Sequence, residues 1–194
     1  MVQSKLPVRT IGIAAGLAAI SAVTQLTHIG YQSPQFGMWI DIVAVSWLVA
    51  YFMFGPRLAL TVSLLGALVI TLFAPDTWLG ASMKWVATTP LWMILAVWVH
   101  VTHKPLEQYK SIQFLIVPSL VGMIVRCLVV IPLNYYFAIP IWTGMTTAQA
   151  MSAIPWYVIA IFNIIQSVID VGVAWMLVYT FKLYRFAPSK RISP

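Results

Sequence analysis

Four ionisable residues stand where an apolar sequence has least use for charge: Asp41, Lys84, Arg126 and Asp170. Two are acidic and two basic, so they serve either as structural ion pairs or as the lining of a site for a polar solute. An ammonium and a guanidinium donate hydrogen bonds, and carboxylates accept them. Asp170 continues a polar stripe in "FNIIQSVID". Asn163, Gln166 and Asp170 follow one another at steps of three and four, which keeps them on one helical face. Such a stripe suits hydrogen bonding between helices as well as contact with a ligand. Thr88 and Asn134 add two more hydrogen-bonding side chains that are costly in lipid and favour an interior. Lys84 heads the run "KWVATTPLWM", near the outer end of its segment, where it either snorkels to the headgroups or faces a pocket.

The surroundings decide what these residues can do. Of 194 residues, 61% are hydrophobic and only 8% charged, with a mean hydropathy of +0.92. A soluble domain carries about 25% charged residues, so this chain reads as an integral membrane protein of one domain, residues 1–194. Long unalternated runs such as "LALTVSLLGALVITLFA" predict helices rather than strands. Six apolar segments follow, at 9–28, 38–54, 58–74, 83–101, 112–133 and 155–181. The expected fold is an all-α, compact bundle of six transmembrane helices. The second and third segments meet at the turn "FGPR", and Pro132 is expected to stop the fifth ahead of a loop of about twenty residues. The first run resembles a signal peptide, but its length and the five runs behind it assign it as the first span. With an inner end near residue 181, Asp170 lies about 16 Å inside the bilayer, so it needs a partner or water.

Charge supplies orientation. Lys5, Arg9, Arg57, Lys104, Lys110, Lys182, Arg185, Lys190 and Arg191 all fall on one side of a six-crossing bundle. The positive-inside rule then makes both termini cytoplasmic, in a multi-pass protein of the cell membrane. The outer connections carry Tyr31, Phe36, Trp78, Tyr135, Tyr136, Phe137 and Trp142. These aromatics fit an interfacial belt, and they fit equally a lid over a pocket that opens outward.

Several chemistries are not written in the chain. There is no phosphate-binding "GxxxxGK[ST]" loop, no "HExxH" and no basic stripe interleaved with polar surface for nucleic acid. Cys127 is the single cysteine, so no internal disulfide forms. His100, His103 and Glu107 gather at the cytoplasmic rim without a third good metal ligand. No enzyme, no resident cofactor and no metal site is expected. A lipid-acting enzyme would have to use that rim cluster, and a purely structural assembly protein would use the polar stripe for partner helices.

The first segment contains "AAGLAA", in which Ala14 and Ala18 are four apart, as are Ala15 and Ala19. Small residues so spaced let another helix approach closely. With this element, the six-segment layout and the pair "FGPRLALTVSLLGALVITL" and "WLGASMKWVATTPLWM", the chain resembles the S components of energy-coupling factor (ECF) vitamin transporters. Those are the substrate-binding membrane subunits of ECF importers. The tail "IPLNYYFAIPIWTG" to "FNIIQSVIDVGVAWMLVYTFKLYR" is most similar to the riboflavin-binding branch. There an Asn–Tyr pair followed by a proline (here Asn134, Tyr135 and Pro140) succeeds span five, and a Pro-Phe-Asn element opens span six. Phe162 and Asn163 are present here, while Ile161 stands in place of the proline.

The resemblance implies tight binding of a vitamin, riboflavin first, in a cavity near the outer face, capped by the loop between spans one and two. It also implies partners: an ECF transmembrane coupling subunit, docked through Ala14 and Ala18, and two ATPase subunits. For a flavin, Tyr31, Trp78 and Trp85 are suited to stack on the ring. Lys84, Asn134 and Asn163 are suited to its carbonyls and hydroxyls, with Thr88 and Gln166 beside them.

Overall fold

The computed structural model describes residues 8–73 and 78–187. Lys5, Lys190, Arg191 and the connection "APDT" lie outside the described residues. Five helical stretches are long and apolar enough to cross a membrane: Val8–Leu26, Pro56–Phe73, Trp78–Val101, Ile112–Thr143 and Trp156–Thr180. They contain α1 (Val8–Leu26), α3 (Pro56–Phe73), α4 (Trp78–Val101), α5 (Ile112–Leu133) and α8 (Trp156–Trp175). The ends fall within a few residues of those expected, because hydropathy reports lipid contact directly.

The second expected span, 38–54, is corrected. Only Val45–Phe54 is helical there, as α2, and every residue from Val45 to Phe52 is buried. Ten residues rise about 15 Å, half the hydrocarbon thickness. A helix apolar on all sides belongs inside protein, and α2 is wrapped by α1, α3 and α8. The stretch ahead of α2 is largely extended chain. Strand β1 (Gly30–Gln32) pairs antiparallel with β2 (Trp39–Asp41), Gly30 opposite Asp41. A side chain at Gly30 would run into the Ile40 carbonyl and Asp41. The hairpin tip is closed locally: Ser33 N donates to Met38 O at 2.8 Å and Gly37 N to Ser33 O at 2.9 Å. Gly37 takes φ +65°, which favours glycine.

The long loop expected after Pro132 is also corrected. Pro132 removes one backbone bond and crowds the turn before it. A wide π turn, Asn134–Ala138, follows at once, and the helix continues as α6 (Ile139–Thr143). After Gly144, α7 (Thr147–Ala153) starts with a reciprocal capping box between Thr146 and Gln149.

At the end carrying Arg57, Lys104, Lys110 and Arg185, aromatic rings close the bundle. Tyr51, Phe52, Tyr109, Phe114, Tyr179 and Tyr184 form a chain of ring contacts with centroids 5.3–6.3 Å apart. Tyr109 lies in a 3₁₀ turn, Leu106–Lys110, and donates to Leu95 O at 2.6 Å while its carbonyl accepts from Trp175 Nε1 at 2.7 Å. Burial pushes the Tyr109 phenol well above its ordinary value, so it stays a neutral donor.

Small residues set the helix spacing. Ala14, Ala18 and Ala22 turn inward and pack with Val43, Ala44, Trp47, Ala50, Leu58 and Val62. The expectation that Ala14 and Ala18 present a docking strip is therefore corrected, since both are buried within the chain's own core. The exposed small residues lie one position on, at Gly12, Ala15, Gly16 and Ala19. Opposite the inward face, a Cβ on Gly66 would collide with the Ser21 hydroxyl and come within 3.0 Å of Trp47 Nε1. Gly66→Ala is expected to cost about 1–3 kcal/mol by overpacking. Thermal unfolding in detergent, followed by tryptophan fluorescence, measures it against Gly16→Ala, where open space predicts little change.

Candidate functional site

The four isolated charges form one buried chain of bonds. Lys84 on α4 pairs with the Asp41 carboxylate at the end of β2. Asp41 Oδ1 also accepts from Val43 N at 2.9 Å, which ties the strand to the turn that starts α2. Gln166 on α8 then grips the Asp41 backbone from both sides. Its Oε1 accepts from Asp41 N at 2.9 Å, and its Nε2 donates to Asp41 O at 2.8 Å. The side-chain amide thus imitates a neighbouring strand. The same Nε2 donates to Asp170 Oδ1 at 2.7 Å, one helical turn further along. Asp170, fully buried, faces Arg126 Nη1 at 3.4 Å, and Arg126 Nε donates to Asn163 Oδ1 at 2.9 Å. Asn163 Nδ2 closes the series on Ile159 O at 2.9 Å.

Each member is placed by local sequence. The three-then-four spacing of Asn163, Gln166 and Asp170 puts them on one face of α8. Gly122 lets the backbone of α5 come against α4, where its Cβ would stand 3.3 Å from Leu91 Cα. Helices α4 and α5 are joined by a short connection and run antiparallel. Arg126 stands one helical turn beyond that contact on α5.

The structure unites Lys84, Asn163 and Gln166 among the expected site residues. Thr88 is buried with an unpaired hydroxyl. The others lie off the network. Trp85 donates to Ser63 Oγ at 3.1 Å on α3. Asn134 donates to Val130 O at 2.9 Å in its own helix. Tyr31 and Trp78 are exposed. Asp41, Arg126 and Asp170 complete the site but were absent from the expected ligand set. The signal for them was present: isolated charges in equal numbers and opposite sign. Nothing in the sequence named Asp41 as the junction, because its backbone, more than its side chain, is what Gln166 reads.

The hairpin lies over this network as a cover. Met38 packs against a cluster that includes Ala87, Val130, Tyr135 and Ile159, and the His28 ring contacts Trp39 at 5.5 Å. Two of the open clefts among the described residues lie at Pro105–Ser111 and against Thr143, Gly144, Met145, Gln149, Ser152 and Ala153. Neither touches the network. No group of three His, Cys, Asp or Glu side chains able to hold a metal occurs among the described residues.

No protein-family model matches the sequence, and no curated protein matches it. A solved structure described as "Structure and mechanism of the S component of a bacterial ECF transporter" superposes with a TM-score of 0.70 at 23% identity. The alignment covers 91% of this chain and 96% of that one. This chain has the S-component fold. The match extends over nearly the whole of both chains, so what is shared is the fold as a whole rather than a common fragment.

Gln166→Leu removes the clamp while keeping bulk. Losing two hydrogen bonds of about 1 kcal/mol each should raise hairpin opening roughly 30-fold. Hydrogen exchange at the amides of residues 39–43 reads this in the ligand-free protein, with the α3 amides as an unchanged control.

Proposed function

We propose that this protein is the substrate-binding membrane subunit of an ECF-type importer, with a vitamin as its solute and riboflavin as the first candidate. The observation that carries the reading is the buried polar chain from Lys84 to Asn163 beneath a hairpin cover, in a chain of S-component fold. Six crossings, counting the one made jointly by β2 and α2, leave both termini on the cytoplasmic side with the basic connections. The hairpin then lies outside. The solute enters as the hairpin lifts, and it takes hydrogen bonds from Lys84, Arg126 and Thr88. Trp85 and Trp78, at the same end of α4 though off the network, are the aromatic side chains suited to stack on a ring. The chain performs no chemistry of its own.

Energy comes from partners: one transmembrane coupling subunit and two ATPase subunits. The docking strip on α1 is the exposed set Gly12, Ala15, Gly16 and Ala19, whose spacing admits close helix approach.

The mutual pairing of the network also suits a second reading, a membrane assembly protein without a solute. Mass spectrometry of the small molecule released on denaturing the purified protein separates the two. Release of riboflavin, with visible flavin absorbance before denaturation, is the expected result. Repeated preparations that neither release nor bind any small molecule favour the assembly role.

A further inference from the structure

We propose that the buried charges make this site selective for uncharged solutes rich in hydrogen-bond acceptors, and that Asp41 is the specificity-determining residue. The inference rests on the solute-binding reading above.

Each cation of the site already has its counter-charge. Lys84 pairs with Asp41, and Arg126 with Asp170. The pairs are linked through Gln166, and Asp170 lies within electrostatic range of Lys84, Arg126 and Asp41 together. The sum over the network is zero. An ionised solute would bring an uncompensated charge into a medium of low dielectric, or take one partner from a pair and strand the other. Two of the three connections at this end are nearly free of charge. Residues 134–155 carry no charged side chain, and residues 27–40 carry none beyond His28. The third holds Asp76, outside the described residues, and no Lys or Arg lies in any of the three to draw an anion inward.

What the network leaves over is donors. Lys84 has spent one of three N–H donors, on Asp41, and Arg126 two of five, on Asn163 and Asp170. All four carboxylate oxygens of the two aspartates already accept a bond. A neutral molecule carrying carbonyls, ring nitrogens or hydroxyl oxygens satisfies these donors without disturbing either pair. Asp41 lies nearest the mouth of the two aspartates, on the strand of the cover. It therefore decides whether Lys84 is seen by a solute as half of a neutral pair or as a free cation.

Asp41→Asn tests this without reference to any vitamin. The full-length protein is purified in detergent and its thermal unfolding followed at constant ionic strength, with inorganic phosphate or chloride. Phosphate should raise the midpoint of Asp41→Asn by about 3 °C or more and leave the wild type unmoved. The response should vanish in Asp41→Asn combined with Lys84→Met. Equal responses in wild type and Asp41→Asn, or none in an Asp41→Asn protein that unfolds cooperatively, would overturn the inference. If Asp41→Asn does not fold, Lys84→Met alone serves. It leaves Asp41 as the free charge and should be stabilised by tetramethylammonium and not by phosphate, and indifference to both overturns the proposal. The solute released from the wild type supplies the last reading. An uncharged molecule other than riboflavin upholds the filter while removing the riboflavin assignment, and a solute ionised at neutral pH removes the filter.

Discussion

Two cations held in an apolar bundle by two carboxylates are the constraint on which this molecule's architecture turns. A charge left unpaired inside such a bundle is costly. Paired, the four fix the relative positions of α4, α5, α8 and the hairpin, because each partner comes from a different element. Gln166 joins the two pairs and reads the backbone of the cover. A buried ion pair is a weak source of net stability, since removing its charges from water costs about as much as their attraction returns. Its contribution here is registration: the wrong rotation of α8 by one residue would leave all three of Asn163, Gln166 and Asp170 facing apolar neighbours.

The two ends of the bundle are built from different materials. One end is closed by rings and by side chains bonded to backbone, as with Tyr109 to Leu95 and Trp175 to Tyr109. The other is closed by a short hairpin held to the bundle through the bonds of Asp41 and the packing of Met38. A two-stranded hairpin has little stability alone, so its position is set by those attachments.

Much of this was legible in the sequence because lipid writes it plainly. Five of six expected spans have helical counterparts, since a helix facing hydrocarbon must be apolar along some twenty residues. The second misled because hydropathy does not distinguish burial in protein from burial in lipid. Val45–Phe54 is apolar for the former reason. Pro132 misled because the cost of a helix-interior proline was offset by a π turn, which no periodicity announces. In the site, the three-four spacing on α8 was readable, and so was the oddity of Lys84. The partners of Lys84 and Arg126 were not, because Asp41 and Asp170 are 43 and 44 residues distant in sequence and only the packed fold brings them near. Ala14 and Ala18 show a further limit: a repeat of period four marks two adjacent faces at once in "AAGLAA", and only neighbours decide which one is turned inside.

The central helix α2 carries a consequence for biogenesis. Ten helical residues fall short of the roughly twenty that a bilayer accepts as a stable span. The extended stretch beside it would meet lipid with unpaired backbone groups if it arrived first. Only the Gly55–Pro56 joint separates α2 from α3, which is a full-length span. Insertion of α2 is thereby made dependent on its follower, and its final lodging waits for α8, where Gln166 stands 125 residues beyond Asp41, to reach the strand.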